Sequence, residues 1–334
     1  MTSPHPWSAS QNKVRRSRLT PLTLTLSHPG EGTYVNLSAI LVLTAEMELV
    51  HSCARFVLAF LRQRRYMLGT WAELSVIAVI LAAGRGTRMG PLTANIPKPL
   101  LALRGRPIIE HILTGLRSAG IREVVVVTGY LAGQIERHLG SGEALGMKLS
   151  YRRQTRPEGT ARALLLARDA IGDEPFLLLW GDIVVEPDQY SALLDNYRRA
   201  PCDALLAVNA TDDPWQGAAV YIDDRWRVTS LVEKPPRGSS RTPWNNAGMF
   251  VFTPPVVEYA ERLRPSARGE YELPQAVAAM VADGREVRAY PVRGFWSDLG
   301  RPEDLAAAER ALAVAPSPSE SVDSLSFPSR RGSR

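Results

Sequence analysis

Hydrophobic and polar positions change in regular blocks along residues 76–210, and the blocks predict strands and helices in turn. Short continuous apolar runs are typical of buried strands, whereas apolar residues recurring every three or four positions indicate amphipathic helices. The predicted strands are Val76–Ala83, Glu123–Thr128, Lys148–Arg153, Phe176–Trp180 and Ala204–Asn209. The predicted helices are Pro107–Ala119, Leu131–Leu139, Thr160–Ile171 and Asp188–Arg199. This alternation predicts an α/β fold with a Rossmann-like, doubly wound and mostly parallel sheet, covered by helices on both faces.

The pattern changes after residue 210, where predicted strands become shorter and fewer helices separate them. These strands are Ala218–Ile222, Arg227–Val232 and Gly248–Thr253, and two helices follow at Glu272–Asp283 and Pro302–Leu312. We expect this half to form a smaller mixed subregion that holds a second substrate.

Both ends of the chain differ in composition from the middle. The first 33 residues are rich in Ser, Thr, Pro and Arg, and the last 20 form a Ser/Pro-rich run. The apolar run near residue 40 is interrupted by Glu46, Glu48 and His51, so it is too short to cross a bilayer. We expect residues 1–75 to be a partly disordered extension or an over-extended start of translation, 76–314 to be the folded domain, and 315–334 to be a disordered tail.

The charge distribution argues against a nucleic-acid partner. The formal net charge is +6, but Lys and Arg exceed Asp and Glu by eight to four in residues 1–75 and by three to two in residues 315–334. A protein that binds nucleic acid is expected to carry a basic cluster on its folded domain. Here most of the excess positive charge lies in the two terminal segments. Cys53 and Cys202 are too few for a disulfide framework, which favours a cytoplasmic protein.

A glycine-rich loop follows the first predicted strand and carries the strongest functional signal. Gly84, Gly86 and Gly90 let backbone N–H groups approach a phosphate, and the interleaved Arg85 and Arg88 supply positive charge. The loop is not a P-loop, because the chain has no Gly-Lys pair, and its glycine spacing is one residue too long for the dinucleotide fingerprint. The pattern therefore predicts a loop that binds a polyphosphate.

Lys98 follows this loop between two prolines, in the stretch VILAAGRGTRMGPLTANIPKPLL. The whole stretch resembles the signature of the sugar-phosphate nucleotidyltransferases, which make a nucleotide sugar and pyrophosphate from an NTP and a sugar 1-phosphate. The resemblance implies that Arg88 and Lys98 are catalytic. It also implies that the nucleotide is bound by Leu81, Ala82, Ala83, Gly84, Gly86 and Thr87.

Two acidic motifs further along the chain resemble the metal ligands of that family. Asp182 follows a glycine at the end of the apolar run FLLLW, and Asp298 lies in WSDLG, similar to the family's W-x-D-x-G. The resemblance implies that both carboxylates bind Mg²⁺, which typically takes one or two carboxylates plus water and phosphate oxygens. The alternatives to metal binding are that Asp182 belongs to an ordinary turn and that Asp298 caps the following helix.

Four further segments resemble substrate-binding parts of the family. Glu233 and Lys234 match its E-K-P motif and imply contacts with the sugar and its phosphate, to which Gly217 and Asn246 add further sugar contacts. The segment with Gln154, Gly159 and Thr160 implies recognition of the base edge. A helix cap at Thr160 is the structural alternative, and both roles can hold together.

The resemblance implies a Mg²⁺-dependent enzyme in which the sugar 1-phosphate attacks the α-phosphorus in line. The segment around Thr160 favours dTTP or UTP, and guanylyl transfer to mannose 1-phosphate is the alternative. Another class is a non-catalytic relative that binds sugar nucleotides. One departure is Pro274-Gln275, where relatives often have Thr-Asp, and it puts the helix start there or an oligomer contact in doubt more than catalysis. The family also implies dimers or tetramers and no membrane partner.

Overall fold

Nine strands form one mixed sheet in residues 76–314, the part of the chain that the computed structural model describes. The predictions made for residues 1–75 and 315–334 lie outside the described residues. In chain order the strands are β1 (Ala78–Ala82), β2 (Ala102–Leu103), β3 (Arg106–Pro107), β4 (Glu123–Thr128), β5 (Lys148–Arg153), β6 (Phe176–Trp180), β7 (Ile183–Val185), β8 (Ala204–Ala210), β9 (Ala218–Ile222), β10 (Val228–Glu233), β11 (Trp244–Phe252), β12 (Val287–Pro291) and β13 (Trp296–Asp298). The helices are α1 (Ile108–Ser118), α2 (Ala132–Leu139), α3 (Thr160–Leu166), α4 (Arg168–Ile171), α5 (Asp188–Arg199), α6 (Val256–Arg262), α7 (Leu273–Ala282) and α8 (Pro302–Val314).

The strand order of the large sheet is β10-β9-β11-β6-β1-β4-β5, with β8 paired to β11 and β12 paired to β8. β1 lies between β4 and β6 and is parallel to both, and β5 is parallel to β4. β11 runs antiparallel to β6, β8 and β9. The α/β prediction is confirmed: the core strands are parallel, and the strands from the second half of the chain add a mixed part to the same sheet.

Helices cover both faces of the sheet, as predicted. All five residues of β1 are buried, as expected for a parallel strand enclosed on two sides. One face packs its apolar side chains on α3, α6 and α7 in a single hydrophobic cluster. On α1, five large apolar side chains (Ile108, Ile109, Ile112, Leu113 and Leu116) are buried, and Gly115 lies against the ring of Tyr190 in α5. A Cβ on Gly115 would lie 2.3 Å from that ring, so the two helices are in close contact.

Most predicted elements are found within one or two residues of their expected bounds. The helix predicted over residues 160–171 is divided at Ala167. The Ala167 N–H donates a hydrogen bond to the Leu164 carbonyl oxygen, which forms a tighter turn than that of an α-helix. The predicted strand at residue 248 begins earlier, at Trp244. The sequence analysis missed β2, β3, β7, β12, β13 and α6, because short segments carry too little periodicity to stand out. Pro274 occupies the first turn of α7, where proline is tolerated, so the helix start is intact.

Candidate active site

The carboxyl ends of β1, β4 and β6 meet at one edge of the sheet, where ligands bind in open α/β sheets. Each strand is followed by a loop that contains a glycine. Gly129, after β4, packs so closely on Ala83 that a Cβ there would lie 2.5 Å from the Ala83 carbonyl oxygen. Gly181, after β6, donates its N–H to the Leu81 carbonyl oxygen at 2.9 Å. These contacts place the loop after β1 beside Asp182.

The predicted phosphate loop is held in shape by its own backbone and by Thr93. Gly86 has φ 64°, a left-handed conformation that favours glycine. Its carbonyl oxygen accepts hydrogen bonds from the Thr93 hydroxyl and the Met89 N–H, both at 2.9 Å. A Cβ on Gly86 would lie 3.1 Å from the Cβ of Lys98, so the loop packs directly on that lysine.

The nucleotide-binding residues predicted on this stretch fall into two groups. Leu81 and Ala82 are buried inside β1, where their side chains belong to the core. Ala83, Gly84 and Thr87 follow the strand and belong to the loop or to the short 3-10 segment Thr87–Thr93. The side chains of Leu81 and Ala82 are therefore enclosed, whereas the predicted residues after 82 lie outside the strand.

Lys98 lies between two carboxylates that come from distant parts of the chain. Its Nζ is 2.6 Å from Oδ2 of Asp182 and 3.9 Å from Oδ1 of Asp298. The lysine side chain is 7% exposed, whereas those of Asp182 and Asp298 are 31% and 40% exposed. The lysine side chain is thus enclosed by the protein, while the two carboxylates remain partly open to solvent. We call Lys98, Asp182 and Asp298 the Lys98 cluster.

The pairing of two short strands brings the acids together. β7 starts immediately after Asp182, and β13 ends at Asp298, with Asp298 opposite Ile183. The Leu299 N–H also donates to the Asp182 carbonyl oxygen at 3.0 Å. Asp298 is therefore part of a strand and does not cap the following helix, at whose start the Asp304 carboxylate accepts the Arg301 N–H.

Asp298 is in an electrostatically unfavourable place for a carboxylate. Burial and the nearby Asp182 raise its pKa to about 6, while Lys98 and Arg88 act in the opposite direction. Its Oδ1 atom is buried and accepts no hydrogen bond from any described residue. The Arg88 guanidinium lies against Gly300, where a Cβ would be 3.2 Å from Nη2. Arg88 is therefore at the same edge as the Lys98 cluster, as predicted.

The two acids fit a hard divalent cation. Mg²⁺ is commonly bound by one or two carboxylates, with its other positions filled by water and phosphate oxygens. The unpartnered Oδ1 of Asp298 is an acceptor of that kind. In residues 76–314 there is no group of three or more Asp, Glu, His or Cys that could enclose a metal ion. The donor set therefore fits a cation held jointly by the protein and its substrates.

Glu233 and Lys234 lie at the end of β10, beside Gly217. The Lys234 N–H donates to the Gly217 carbonyl oxygen at 2.7 Å, and Lys234 adopts an unusual positive φ of 43°. A Cβ on Gly217 would lie 2.1 Å from Oδ1 of Asn245, which accepts the Ala218 N–H. The glycine is thus required for the contact with Asn245, a residue that the sequence analysis did not single out.

Glu233 is buried beside a second carboxylate and an arginine. Arg268 Nη2 is 3.4 Å from Glu233 Oε1, and it also binds Glu272, which is 5% exposed. Burial and the charge of Glu272 raise the pKa of Glu233 to about 7, although Lys234 and Arg268 oppose the shift. Glu233 Oε2 is buried and unpartnered within the described part of the chain. Sequence reasoning missed Arg268 and Glu272, because charged residues in such a segment are most simply interpreted as exposed to solvent.

The raised pKa of Glu233 predicts a pH-dependent stability. The folded protein holds a proton on Glu233 between about pH 4.5 and pH 7 that the unfolded chain releases, so the free energy of unfolding falls as pH rises through that window. The loss is up to about 3 kcal/mol for this single group. The free energy of unfolding of Glu233→Gln, measured in urea, should therefore equal that of the wild type at pH 5 and exceed it at pH 8.

The exposed Glu143 supplies the matched control for that measurement. It lies in a surface turn, and Glu143→Gln should leave the difference between pH 5 and pH 8 as in the wild type. A Glu233→Gln variant with the full wild-type pH dependence would contradict the assignment.

Asn246 lies in an irregular part of β11, next to the end of β6. The register with β8 shifts between Asn246 and Phe250, and Gly248 has φ 75°. Asn246 Oδ1 accepts the Gly248 N–H at 3.0 Å, and its Nδ2 is buried without a partner among residues 76–314. The side chain therefore retains a free donor, as a ligand contact requires.

The segment predicted to recognise the base packs on residues 271–273. Gln154 Nε2 donates to the Gly159 carbonyl oxygen at 3.1 Å. Gly159 has φ 103°, and a Cβ there would lie 2.5 Å from the Tyr271 carbonyl oxygen. The suggestion that Thr160 caps its own helix is wrong, since the cap position is Gly159 and the Thr160 hydroxyl accepts the Leu273 N–H at 2.9 Å.

A family model described as nucleotidyl transferase matches residues 77–314. The chain belongs to the nucleotidyl transferase family. It is 34% identical over 239 residues to a UTP–glucose-1-phosphate uridylyltransferase (AglF) of Haloferax volcanii, covering 70% of this chain and 96% of that protein. It is 32% identical over 237 residues to a glucose-1-phosphate thymidylyltransferase of Streptomyces antibioticus, covering 70% of this chain. The chain spans 65% of the length of that Streptomyces protein.

The nucleotidyl transferase fold is also seen in solved structures. A crystal structure of a candidate glucose-1-phosphate thymidylyltransferase from Bacillus anthracis superposes with a TM-score of 0.66 at 26% identity, over 72% of this chain and 96% of that one. The predicted family and fold are thus confirmed. In the described part of this nucleotidyl transferase, no helix is long and apolar enough to cross a membrane.

Proposed function

We propose that this protein is a Mg²⁺-dependent sugar-1-phosphate nucleotidyltransferase that uses dTTP or UTP. The observation that supports this most directly is the Lys98 cluster, in which one buried lysine and two partly exposed carboxylates converge from three segments. A non-catalytic relative that only binds a sugar nucleotide would not need two carboxylates held close together against their electrostatic repulsion. The names of the relatives from Haloferax and Streptomyces support a pyrimidine nucleotide.

The proposed reaction is an in-line displacement at the α-phosphorus of the NTP. An oxygen of the sugar 1-phosphate forms a bond to that phosphorus while the bond to the bridging oxygen breaks and pyrophosphate leaves. The attacking phosphate is already ionised at neutral pH, since its second pKa is about 6, so no general base is required. Positioning and charge neutralisation therefore supply the catalysis.

On this proposal each half of the site has a distinct task. Backbone N–H groups at Gly84–Thr87, with Arg88, hold the β- and γ-phosphates, and Lys98 neutralises charge at the α-phosphate. Asp182 and Asp298 would hold Mg²⁺, which when bound supplies positive charge to the phosphate oxygens. Lys234 holds the sugar phosphate, Glu233 and Asn246 contact sugar hydroxyls beside Gly217, and Gln154 to Thr160 contact the base.

The unpartnered Oε2 of Glu233 predicts a binding role with little effect on chemistry. Glu233→Gln should raise the KM for sugar 1-phosphate by about tenfold while kcat changes less than twofold, because a lost contact that is equal in the ground and transition states affects binding alone. Initial rates at saturating NTP measure this. A fall in kcat at unchanged KM would contradict the role.

The experiment that tests the proposed function is a substrate panel on the full chain. Each of ATP, GTP, dTTP and UTP is mixed with Mg²⁺ and glucose 1-phosphate or mannose 1-phosphate, and pyrophosphate release is measured. We expect release with dTTP or UTP and glucose 1-phosphate. Release with GTP and mannose 1-phosphate alone would establish the guanylyltransferase alternative, and silence in every combination would favour a non-catalytic relative.

A further inference from the structure

Trp180 ends β6, two residues before Asp182, and its indole N–H has no acceptor among residues 76–314. The Nε1 atom is buried and donates no hydrogen bond to any residue of the described chain. A buried donor without an acceptor costs free energy, and a phenylalanine would fill much of the same space without that cost. An unpartnered donor at the carboxyl edge of the sheet is therefore expected to meet an acceptor on a ligand.

The ring of Trp180 is held in one place by its neighbours. It packs edge-to-face on Phe250 with a centroid distance of 5.9 Å, and it lies on the sheet face shared with α3 and α7. On its other side, a Cβ at Gly248 would lie 2.6 Å from the ring atom Cε3. The ring therefore cannot turn without displacing β11, so its N–H keeps a fixed direction.

The same glycine connects Trp180 to the predicted sugar contacts. Gly248 donates its N–H to Asn246 Oδ1, and this bond fixes the Asn246 amide, whose Nδ2 is another buried donor without a partner in residues 76–314. Glu233 Oε2 is an unpartnered acceptor of the same kind in the described part. Trp180 and the two residues for which sugar contacts are predicted thus leave two donors and one acceptor unpartnered, and sugar hydroxyls can bind groups of both kinds.

We propose that the Trp180 Nε1–H donates a hydrogen bond to a hydroxyl oxygen of the sugar 1-phosphate and so contributes to the choice of sugar. This inference rests on the proposed function and adds to it a specificity residue outside the motifs. The geometry favours the sugar over the ribose of the nucleotide, because the indole packs on the glycine that holds Asn246.

Two tryptophan variants serve as controls for Trp180→Phe. Trp296 Nε1 donates to the Ala247 carbonyl oxygen at 3.0 Å, so Trp296→Phe removes an indole N–H that the protein does use. Trp226 lies in the turn between β9 and β10, where it packs on Trp244 with a centroid distance of 5.3 Å. Trp226→Phe therefore changes a tryptophan of the β9–β10 turn, for which no ligand contact is proposed.

Unfolding of the ligand-free protein in urea is the first readout, and it needs no activity. Both variants lose part of a packed ring, so Trp180→Phe should lower the midpoint less than Trp296→Phe, since only Trp296→Phe also leaves the Ala247 carbonyl oxygen without its donor. A lowered midpoint for Trp180→Phe, as large as that for Trp296→Phe, would show that its N–H is used within the fold and would overturn the proposal.

Steady-state kinetics are the second readout. Trp180→Phe should raise the KM for the sugar 1-phosphate about fivefold to tenfold, with the KM for NTP within twofold of wild type, and Trp226→Phe should change neither. With deoxy analogues of the sugar 1-phosphate, the difference between wild type and Trp180→Phe should vanish for the analogue that lacks the contacted hydroxyl.

The possible failures are distinguishable. If the wild type turns over but Trp180→Phe matches it in both KM values, the Trp180 assignment fails and the proposed function stands. If the increase falls on the KM for NTP, the assignment to the sugar is overturned. If the wild type releases no pyrophosphate with any pair and binds no nucleotide sugar by calorimetry, the proposed function fails and the Trp180 assignment with it.

Discussion

Asp298→Asn should reduce turnover by about a hundredfold or more while leaving the protein at least as stable as the wild type. Removing one electrostatic contact to a reacting phosphate typically costs about 10²–10³ in rate. The stability expectation has a different origin. The pKa of Asp298 is raised because its carboxylate is partly buried and lies beside Asp182, and the buried Oδ1 atom accepts no hydrogen bond from the described chain. An uncharged amide removes the repulsion between the two carboxylates, so folding loses nothing.

Two measurements check this expectation together. Initial rates at saturating substrates and Mg²⁺ give the loss of turnover, and urea unfolding at pH 7.5 gives the stability. Asp224→Asn is the matched control, since Asp224 is exposed in the turn between β9 and β10 and should change neither quantity. Turnover of Asp298→Asn within a factor of a few of the wild type would contradict the role of Asp298 as a metal ligand.

Lys98→Met should reduce kcat by a similar factor, about 10²–10³, and should also destabilise the fold. The methionine side chain retains most of the stem that packs on Gly86, but it removes the one cation within 4 Å of both carboxylates among the described residues. Asp182 then loses a hydrogen bond at 2.6 Å, which should cost about 1–3 kcal/mol of unfolding free energy. Single-turnover rates with bound NTP separate the chemical step from this loss of stability.

Lys148→Met is the control for removing a lysine. Lys148 is 77% exposed and pairs with Glu123 at 3.1 Å on the surface, where such pairs contribute little to stability. We expect wild-type kcat and unfolding in this variant. The account of Lys98 would be wrong if Lys98→Met kept wild-type single-turnover rates.

The stability effects expected for Asp298→Asn and Lys98→Met have opposite signs, although both residues belong to the Lys98 cluster. Lys98 stabilises the fold through Asp182, whereas Asp298 is held close to Asp182 by the pairing of β13 with β7 against its electrostatic preference. Such an arrangement is typical of functional sites, where stability is given up for a group that a ligand requires. If it is measured, this difference in sign would separate a catalytic cluster from a structural ion pair.

The sequence predicted the framework of the site well, and physical reasons explain where it did not. β1 and the loop after it could be predicted because a continuous apolar run and clustered glycines are local signals. The closeness of Asp182 and Asp298 was implied by the family resemblance, while its cause, the short pair β7 and β13, has no periodicity to detect. Asn245, Arg268 and Glu272 were missed because their roles depend on contacts between segments far apart in the chain.

Thr160 shows the same limit at the level of a single side chain. A threonine at the start of a helix predicts a cap for that helix, which is a local inference. In the structure its hydroxyl accepts the N–H of Leu273 at the start of α7, and the preceding Gly159 packs on Tyr271. Tertiary packing has thus replaced the local interaction, and it joins the segment predicted for the base to the one that carries Glu272.

Product formation by the wild type beside Asp298→Asn is the most direct test of the central claim, that the Lys98 cluster transfers a nucleotidyl group to a sugar phosphate. The full-length proteins are incubated with Mg²⁺, UTP or dTTP and glucose 1-phosphate, and the nucleotide sugar is identified by mass spectrometry while pyrophosphate is quantified. The account predicts equal amounts of nucleotide sugar and pyrophosphate from the wild type and about a hundredfold less of both from the folded variant. Equal product from the two proteins, or pyrophosphate without nucleotide sugar, would contradict it.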